Sequence, residues 1–293
     1  MLEDSWVTVI CSCFNHEKYL VESIKSVLQQ SYKNIQLIVV DDCSTDNSVE
    51  IIENYIENFP QIIFIKNKSN LGLTKSVTNA MHYAKGDYFI DLAADDLLLP
   101  NCIEIQLNTY KNSQYKNLAI VYGNAELITE GGNHSSYYFD VDESLKTKPK
   151  RPSGDIYSNV ISFETTICSV SAMYNKTIFD RLNGYDSQLS YEDFDYWIRA
   201  SRAYNIEFVD EIVVQKRIVP NSLQTTLYAK NNSNSKSTFL ILKKAYHLNR
   251  TKKEHFILRK RVNFEIINAY RNQNYILMFQ NCWLRVKIGF QSV

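Results

Sequence analysis

The chain has 293 residues, 45% of them hydrophobic, and its 32 basic and 32 acidic side chains give a net charge of zero. This hydrophobic content is ordinary for a globular protein, and the length suits one large α/β domain with an appendage. The first residues lack the basic flank and apolar core of a signal peptide, and no apolar run approaches the ~18–20 residues that span a bilayer. Six cysteines show no zinc or redox spacing. We therefore expect a protein of the reducing cytoplasm.

Apolar periodicity predicts strands that alternate with helices. A first apolar run at 6–13 is followed by helical spacing over 20–28, with Asn15 as the expected N-cap. The alternation continues through predicted strands at 35–40, 62–65, 86–93 and 118–122. Strands that alternate with helices of about ten residues predict right-handed βαβ crossovers and a mostly parallel sheet.

The second half of the chain is less regular. Residues 130–165 are rich in Gly, Ser, Lys and Pro, which predicts a functional loop or irregular β structure. A helix at 190–199 and a strand at 206–218 follow, and residues 219–222 close the body. We predict domains at 1–227, with a nucleotide half to about 125 and an acceptor half from 126, and at 228–293.

The charge is distributed unevenly. Residues 228–293 hold 13 of the 32 Lys and Arg but only Glu254 and Glu265 among the acids, a charge of +11 that leaves −11 on the rest. Bulky apolar residues among these Lys and Arg favour interfacial amphipathic helices that contact anionic lipid. The alternative is a helical hairpin that packs on the body with its charges solvated.

A pair of acids ends one predicted strand. Asp95 and Asp96 follow the buried run and precede Pro100, which suits the first turn of a new helix. Adjacent carboxylates that are buried repel each other and lose hydration, so they need a cation or several hydrogen-bond donors. Since ligands of open α/β sheets bind outside the carboxyl ends of strands, we predict a metal-bridged phosphate here. The alternative is an Asp-Asp turn that caps a helix.

Phosphate-binding glycine motifs are missing. The turn at 12–17 has no glycine, and no G-x-x-x-x-G-K-[ST] sequence occurs, which argues against a P-loop or a dinucleotide-type site. Carboxylates accept hydrogen bonds from ribose hydroxyls or a base N–H, and they bind Mg²⁺ or Mn²⁺ that bridges phosphate oxygens. The sequence therefore indicates a nucleotide held by acids and a hard divalent cation.

Five motifs in order give the chain a clear likeness to a known family. They are V-T-V-I-C-S-C-F-N-H-E-K-Y-L at 7–20, D-D-C-S-T-D at 41–46, N-L-G at 70–72, G-D-Y at 86–88 before the acidic pair, and G-Y-D with E-D at 184–186 and 192–193. The segment S-V-L-Q-Q-S at 26–31 adds to them. Over residues 5–222 the chain resembles family 2 glycosyltransferases of the GT-A fold. The resemblance implies a Rossmann-like, mostly parallel α/β sheet flanked by helices, and inverting transfer of a sugar from a nucleotide diphosphate.

The resemblance also implies roles for individual residues. Ser12 and Phe14 would line the base, with Phe14 stacked on it, and Asp42 would accept the base N–H. Asp95 would contact the ribose or donor sugar, and Asp96 would bind the metal.

Four further roles are less direct. Lys75 would approach the phosphates, or it is an ordinary exposed helix lysine. Asp193 would be the general base for the acceptor hydroxyl, with Glu192 and Trp197 near the donor. The alternative for Asp193 is a capping box with Ser190 at a helix start.

The likeness has two departures and leaves two other functions open. Ala93 stands where many relatives have a third Asp, and the His that some relatives carry in the closing strand is absent, which implies fewer protein ligands for the metal. We expect a metal-dependent hexosyltransferase that uses a UDP-sugar, acts on a glycan or lipid-linked acceptor in polysaccharide biosynthesis, and binds no nucleic acid. The alternatives are a sugar nucleotidyltransferase and a non-catalytic sugar-binding relative.

Overall fold

The computed structural model describes residues 5–162, 167–219 and 233–292. It divides into two compact units. The sheet unit comprises Met1–Gly154, Ile167–Gly184 and Asn205–Ile218, and the helical unit comprises Asp155–Thr166, Tyr185–Tyr204 and Val219–Val293. The internal segments Asp155–Thr166 and Tyr185–Tyr204 therefore belong to the same unit as the C-terminal segment. The domain boundary at 227 stays a prediction.

The structure has nine strands, ten α-helices and a short 3-10 helix at Ser169–Ser171 in its described residues. The strands are β1 Val7–Cys13, β2 Ile35–Asp41, β3 Ile63–Lys66, β4 Tyr88–Ala93, β5 Leu97–Leu98, β6 Leu118–Ile128, β7 His134–Tyr137, β8 Ala172–Asn175 and β9 Asn205–Arg217. The helices are α1 Leu20–Leu28, α2 Ser48–Asn58, α3 Leu73–Met81, α4 Cys102–Asn112, α5 Tyr157–Ser162, α6 Lys176–Arg181, α7 Asp193–Ala203, α8 Ser233–Leu248, α9 Lys252–Arg271 and α10 Tyr275–Ser292.

The strands form one sheet in the order β3-β2-β1-β4-β8-β6-β9-β5, with β7 beside β6. β1 lies between β2 and β4, parallel to both, and it is buried at every position, as its continuous apolar sequence predicts. The chain leaves β1 toward β2 and β3 and returns to β4 on the other side. The strand order therefore reverses between β1 and β4, the position at which open α/β sheets bind ligands. The predicted mixed α/β fold, with basic helices at the C-terminus, is confirmed.

Three local expectations have different outcomes. The N-cap prediction for Asn15 is wrong, because Asn15 has a left-handed φ of 58° and its side-chain oxygen accepts the N–H of Thr45 at 2.8 Å, whereas α1 begins only at Leu20. Irregular β structure between 130 and 154 is confirmed by β7 and by isolated bridges such as Val141 with Thr147, whereas Tyr157–Ser162 form the short helix α5. Residues 163–165 and 220–222 lie outside the described residues.

We predict that Gly86→Ala destabilises the sheet unit. A Cβ at this position would lie 2.5 Å from the Thr8 nitrogen, 2.5 Å from the Tyr88 carbonyl oxygen and 2.8 Å from that of Trp6. Because all three atoms belong to the backbone, β1 or β4 must shift, and the expected loss is ~1–3 kcal/mol in the free energy of unfolding. Thermal and urea unfolding measure it.

Gly289→Ala is the matched control. Nothing lies within 4 Å of a Cβ at Gly289, which sits in α10, so this change should stabilise the protein by ~0.5–1 kcal/mol through helix propensity. Equal unfolding curves for Gly86→Ala and wild type would contradict the close approach of β1 and β4.

Candidate active site

The carboxyl ends of β1, β2 and β4 lie side by side where the strand order reverses. Ser12 pairs with Ala93 of β4, and the N–H of Ala94 donates to the Ser12 carbonyl oxygen at 2.9 Å. On the other side, the N–H of Asp42 donates to the carbonyl oxygen of Cys13 at 2.9 Å. These contacts bring Ser12 and Asp42 to the same edge of the sheet as the acidic pair that follows Ala94.

Asp42 is buried, and its carboxylate fastens the N-terminus of α3. Its Oδ1 accepts hydrogen bonds from Asn67 Nδ2 at 2.9 Å, the Leu71 N–H at 2.8 Å and Ser76 Oγ at 2.9 Å. Its Oδ2 accepts the N–H of Gly72 at 2.8 Å. The N-L-G motif therefore supplies two backbone donors to this aspartate. Oδ2 has a second lone pair, and acceptance of a base N–H by Asp42 stays a prediction.

Phe14 and Lys75 project more openly. Phe14 follows β1 directly and is 42% exposed, which is high for a phenyl ring and leaves a face for stacking. The next residue, Asn15, is fixed by its N–H, which donates to Ser44 Oγ at 2.9 Å. Lys75 is exposed in the first turn of α3. The roles of Phe14 and Lys75 toward a nucleotide stay predictions.

Asp96 is the buried member of the acidic pair, with only 3% exposure, whereas Asp95 is half-buried. The Asp96 N–H donates to the Ala93 carbonyl oxygen at 3.0 Å, which turns the chain sharply after β4. Its Oδ1 accepts the backbone N–H of Arg217 at 2.7 Å. The acidic pair therefore sits in a turn that the last residue of β9 holds from the other side.

Arg217 also lies in this region, and the sequence motifs assigned no role to it. Its side chain is 2% exposed, and its Nε donates to the Asp95 carbonyl oxygen at 3.1 Å. Its two terminal nitrogens donate to the carbonyl oxygen of Glu130 at 2.8 Å and to Glu22 Oε2 at 2.7 Å. The guanidinium also stacks 4.7 Å from the ring centre of Tyr19. Because β9 also contains Asp210, Glu211 and Lys216, nothing in its sequence distinguishes Arg217 as a buried residue.

The S-V-L-Q-Q-S segment at the end of α1 fixes the chain after the acidic pair. Ser26 Oγ accepts the N–H of Leu98 at 3.1 Å, and Gln30 Nε2 donates to the Leu99 carbonyl oxygen at 2.8 Å. Gln30 Oε1 accepts the N–H of Ile103 in the first turn of α4 at 3.2 Å. This motif thus holds the strand and helix that continue from Asp96.

The electrostatics of the acidic pair suit a cation. Burial, and next the charge of Asp95, raise the pKa of Asp96 to about 7, against the opposing effects of Lys216 and Arg217. Among the described residues no three His, Cys, Asp or Glu side chains cluster as a metal site. Mg²⁺ and Mn²⁺ do not need such a cluster, because they bind through one or two carboxylates with substrate phosphates and waters. Asp95 and Asp96 fit that donor set.

The helical unit contains the other three predicted residues. Asp193 is the first residue of α7, and its Oδ1 accepts the N–H of Phe194 at 2.6 Å. Glu192, at the N-cap position, is buried and forms no side-chain cap, so the alternative capping box from Ser190 is not the one that starts α7. Trp197 is 7% exposed, and its Nε1 has no hydrogen-bond partner among the described residues.

Helix α8 supports the segment that precedes and begins α7. Lys244 Nζ donates to Asp186 Oδ2 at 2.6 Å and to Asp195 Oδ1 at 2.7 Å, and Asp195 is itself 1% exposed. Burial works to raise the pKa of Asp186, but the hydrogen bonds from Lys244 and the Gln188 N–H, together with the charges of Lys244 and Arg199, outweigh it. The pKa therefore lies below its usual value. Lys244 therefore ties the G-Y-D motif to the E-D segment. Sequence reasoning assigned this lysine to a basic extension, because nothing in its neighbourhood of the chain distinguishes it.

Comparison with known sequences identifies the family. Residues 8–182 match the sequence profile described as glycosyl transferase family 2. The chain belongs to this family. It is 30% identical over 218 residues to an uncharacterized glycosyltransferase of Methanocaldococcus jannaschii, covering 73% of this chain and 71% of that protein. It is 32% identical over 226 residues to one of Rickettsia prowazekii, covering 77% and 67%. The chain is therefore a glycosyltransferase.

Solved structures of glycosyltransferases share its fold. S. aureus TarS 1-349 in complex with UDP-GlcNAc superposes with a TM-score of 0.73 at 16% identity, covering 97% of this chain and 81% of TarS. The mannosyltransferase PcManGT of Pyrobaculum calidifontis, in complex with GDP-Man and Mn²⁺, has a TM-score of 0.63 at 13% identity and covers 95% and 73%. At these identities the similarity shows the fold, which is the GT-A type.

Asp96 should make the stability of the metal-free protein depend on pH. Since folding raises its pKa from 3.8 to about 7, the native state keeps a proton that the unfolded chain has lost. Its contribution is complete below the unfolded pKa and is lost as pH rises through the folded pKa. Relative to wild type, Asp96→Asn should therefore gain on the order of 2 kcal/mol between about pH 5 and about pH 8.

Urea unfolding in EDTA at both pH values measures this difference. Asp180→Asn, at an exposed acid of α6 that pairs with Lys176, is the control and should show no such change. A stability difference between Asp96→Asn and wild type that does not vary with pH would mean that Asp96 is ionised in the metal-free fold.

Lys244→Met should destabilise the helical unit. The change leaves the buried carboxylate of Asp195 with Arg199 as its remaining ion-pair partner. Because Lys244 is 36% exposed and Arg199 stays, we expect a loss of ~1–2 kcal/mol rather than the larger cost of breaking a fully buried pair. The exposed neighbour Lys243 provides the control, and Lys243→Met should unfold like wild type. If both variants unfold identically, the ion pairs of Lys244 do not contribute to the stability of the helical unit.

Proposed function

We propose that the protein is an inverting glycosyltransferase that moves a sugar from a UDP-sugar to a hydroxyl of a glycan or lipid-linked acceptor in surface polysaccharide biosynthesis. The observation that carries the proposal is the Asp95–Asp96 turn, which lies at the carboxyl edge of the sheet where the strand order reverses. The family membership supports glycosyl transfer.

The donor would bind along the edge formed by β1, β2 and β4. The exposed ring of Phe14 offers a stacking surface for the base, and Asp42 has one carboxylate lone pair for a base N–H. Asp95 would contact the ribose or sugar. UDP-GlcNAc in TarS and GDP-Man in PcManGT support a nucleotide sugar as the ligand class.

Asp95 and Asp96 would hold a divalent cation, Mn²⁺ or Mg²⁺. When bound, it would neutralise charge that develops on the departing diphosphate. The chain's own contribution is to keep the two carboxylates at one position, which the contacts of Arg217 to this turn support. The Mn²⁺ bound in the complex of PcManGT supports the same choice of ion.

Asp193 would act as the general base. It would remove the proton from the acceptor hydroxyl as that oxygen attacks the anomeric carbon in line with the leaving diphosphate. Its place at the first position of α7, next to the buried Glu192 and one turn before the buried Trp197, supports a fixed orientation. Residues 130–170 are proposed to bind the acceptor.

We also propose that the enzyme works in the cytoplasm, with peripheral membrane contact through 228–293. No helix in the described part of the chain is both long enough and apolar enough to cross a bilayer. The basic charge of the C-terminal segment supports a surface contact.

Activity measurements with nucleotide sugars test the proposal. Pure protein with Mn²⁺ should release UDP or GDP from one member of a panel of UDP- and GDP-sugars, faster when an acceptor glycan is present. Asp96→Asn and Asp193→Asn should each lower kcat by roughly 10²–10⁴-fold. Asp193→Asn should keep donor affinity, whereas Asp96→Asn should lose its dependence on Mn²⁺. Asp180→Asn is the control.

Two results would contradict parts of the proposal. Near-full turnover by a correctly folded Asp193→Asn protein would remove the base assignment. Binding of every donor without any hydrolysis or transfer, across acceptors, would favour the non-catalytic relative instead.

A further inference from the structure

Helices α9 and α10 expose bulky apolar side chains over their whole length. We call six of them the apolar hairpin face: Phe256, Ile267, Ile276, Phe279, Trp283 and Phe290. Ile276 is 76% exposed and Phe290 is 82% exposed. Single exposed apolar residues are ordinary, but a set of this size on two neighbouring helices marks an interaction surface.

The two helices bring these residues to matching levels. α9 and α10 are joined by residues 272–274 and run antiparallel, since the Tyr270 and Tyr275 rings meet edge to face and Arg285 Nε donates to Asn263 Oδ1 at 2.6 Å. The same pairing places Phe290 level with Phe256. The apolar side chains therefore extend along the hairpin rather than clustering at one end.

The charges that surround the face have one sign. Within α9 and α10 the acids are Glu254 and Glu265, and both are buried in ion pairs, with Arg202 and Arg261. The exposed charged residues of the two helices are basic: Lys252, Lys253, Lys260, Arg271, Arg285 and Lys287.

Two of these lysines lie directly on the face. Lys287 Nζ sits 3.6 Å from the ring centre of Trp283, and Lys260 Nζ sits 4.9 Å from that of Phe256. In this arrangement the aromatic rings can enter the acyl region of a lipid layer while the ammonium groups stay among the headgroups.

We propose that the apolar hairpin face docks on an anionic lipid surface, with the aromatic and aliphatic side chains in the acyl boundary and the lysines among the headgroups. A second copy of the chain fits this face less well, because a two-fold contact would set the basic residues of one hairpin against those of the other. The inference deepens the proposed membrane contact of the enzyme. It is tested without donor or acceptor, so its failure leaves the proposed transfer reaction standing.

Vesicle flotation of the full chain tests the docking. Wild type should bind vesicles of phosphatidylcholine with about one third phosphatidylglycerol, and bind pure phosphatidylcholine at least about tenfold less. Phe279→Ser with Trp283→Ser should lower binding to the anionic vesicles by at least about tenfold. Lys260→Gln with Lys287→Gln should lower it and weaken its dependence on salt.

Tyr83→Ser with Lys66→Gln is the matched control, since these exposed residues of the sheet unit lie outside the hairpin. It should float like wild type. Thermal unfolding confirms that each variant is folded, and donor hydrolysis in the absence of vesicles should be unchanged in all of them. Equal flotation of wild type and the Phe279/Trp283 variant would overturn the proposal. The proposal would also be overturned by a second result. In it, wild type self-associates in the ultracentrifuge, the same variant abolishes this self-association, and anionic vesicles bind no protein.

Discussion

The buried carboxylate of Asp96 is the constraint on which the candidate donor site depends. An acid with 3% exposure at a strand tip is unfavourable unless donors or a cation compensate for its lost hydration. In this fold the N–H of Arg217 donates a hydrogen bond to Asp96. The Arg217 side chain also donates hydrogen bonds to the Asp95 carbonyl oxygen and to Glu22. Segments nearly two hundred residues apart must therefore meet before the acidic pair is in place. The geometry at this edge is set by the protein and need not be formed by the ligand.

The helical unit applies the same principle to the segment that carries Asp193. Asp195 is as deeply buried as Asp96, and it is paired with Arg199 of its own helix and Lys244 of α8. Helix α8 lies beyond the residues that match the family profile, yet it holds the segment on which the proposed base depends. Helix α8 is therefore part of the support of this segment. The charge of Lys244 forms structural ion pairs and is not simply solvated.

The sequence allowed the fold to be predicted well, because its signals are local. The continuous apolar run of β1 and the helical spacing after it determine strand and helix with little help from distant residues. The motifs also predicted which acids reach the carboxyl edge, since parallel strands end at a common edge. The failures involve partners far along the chain. Asn15 is a residue type that often caps helices, but its side-chain oxygen accepts the N–H of Thr45 instead. The sequence around Asn15 contains no sign of that distant donor.

The hairpin of α9 and α10 reverses the usual distribution of polar and apolar side chains. Glu254, Arg261 and Glu265 are buried, while Phe279 and Phe290 are exposed. Each buried acid costs hydration free energy that its arginine partner offsets, so burying both acids gains little stability for the fold. The arrangement has a different consequence: it removes every negative side chain of the two helices from the surface and leaves lysine, arginine and aromatic groups there. A face that is both apolar and free of acids is poorly suited to water and to a copy of itself, and it is well suited to a negatively charged interface. The +11 charge of the C-terminal segment follows from its sequence alone. The fold adds that both acids of α9 and α10 are buried, so that only basic groups are exposed among the charged residues of these two helices.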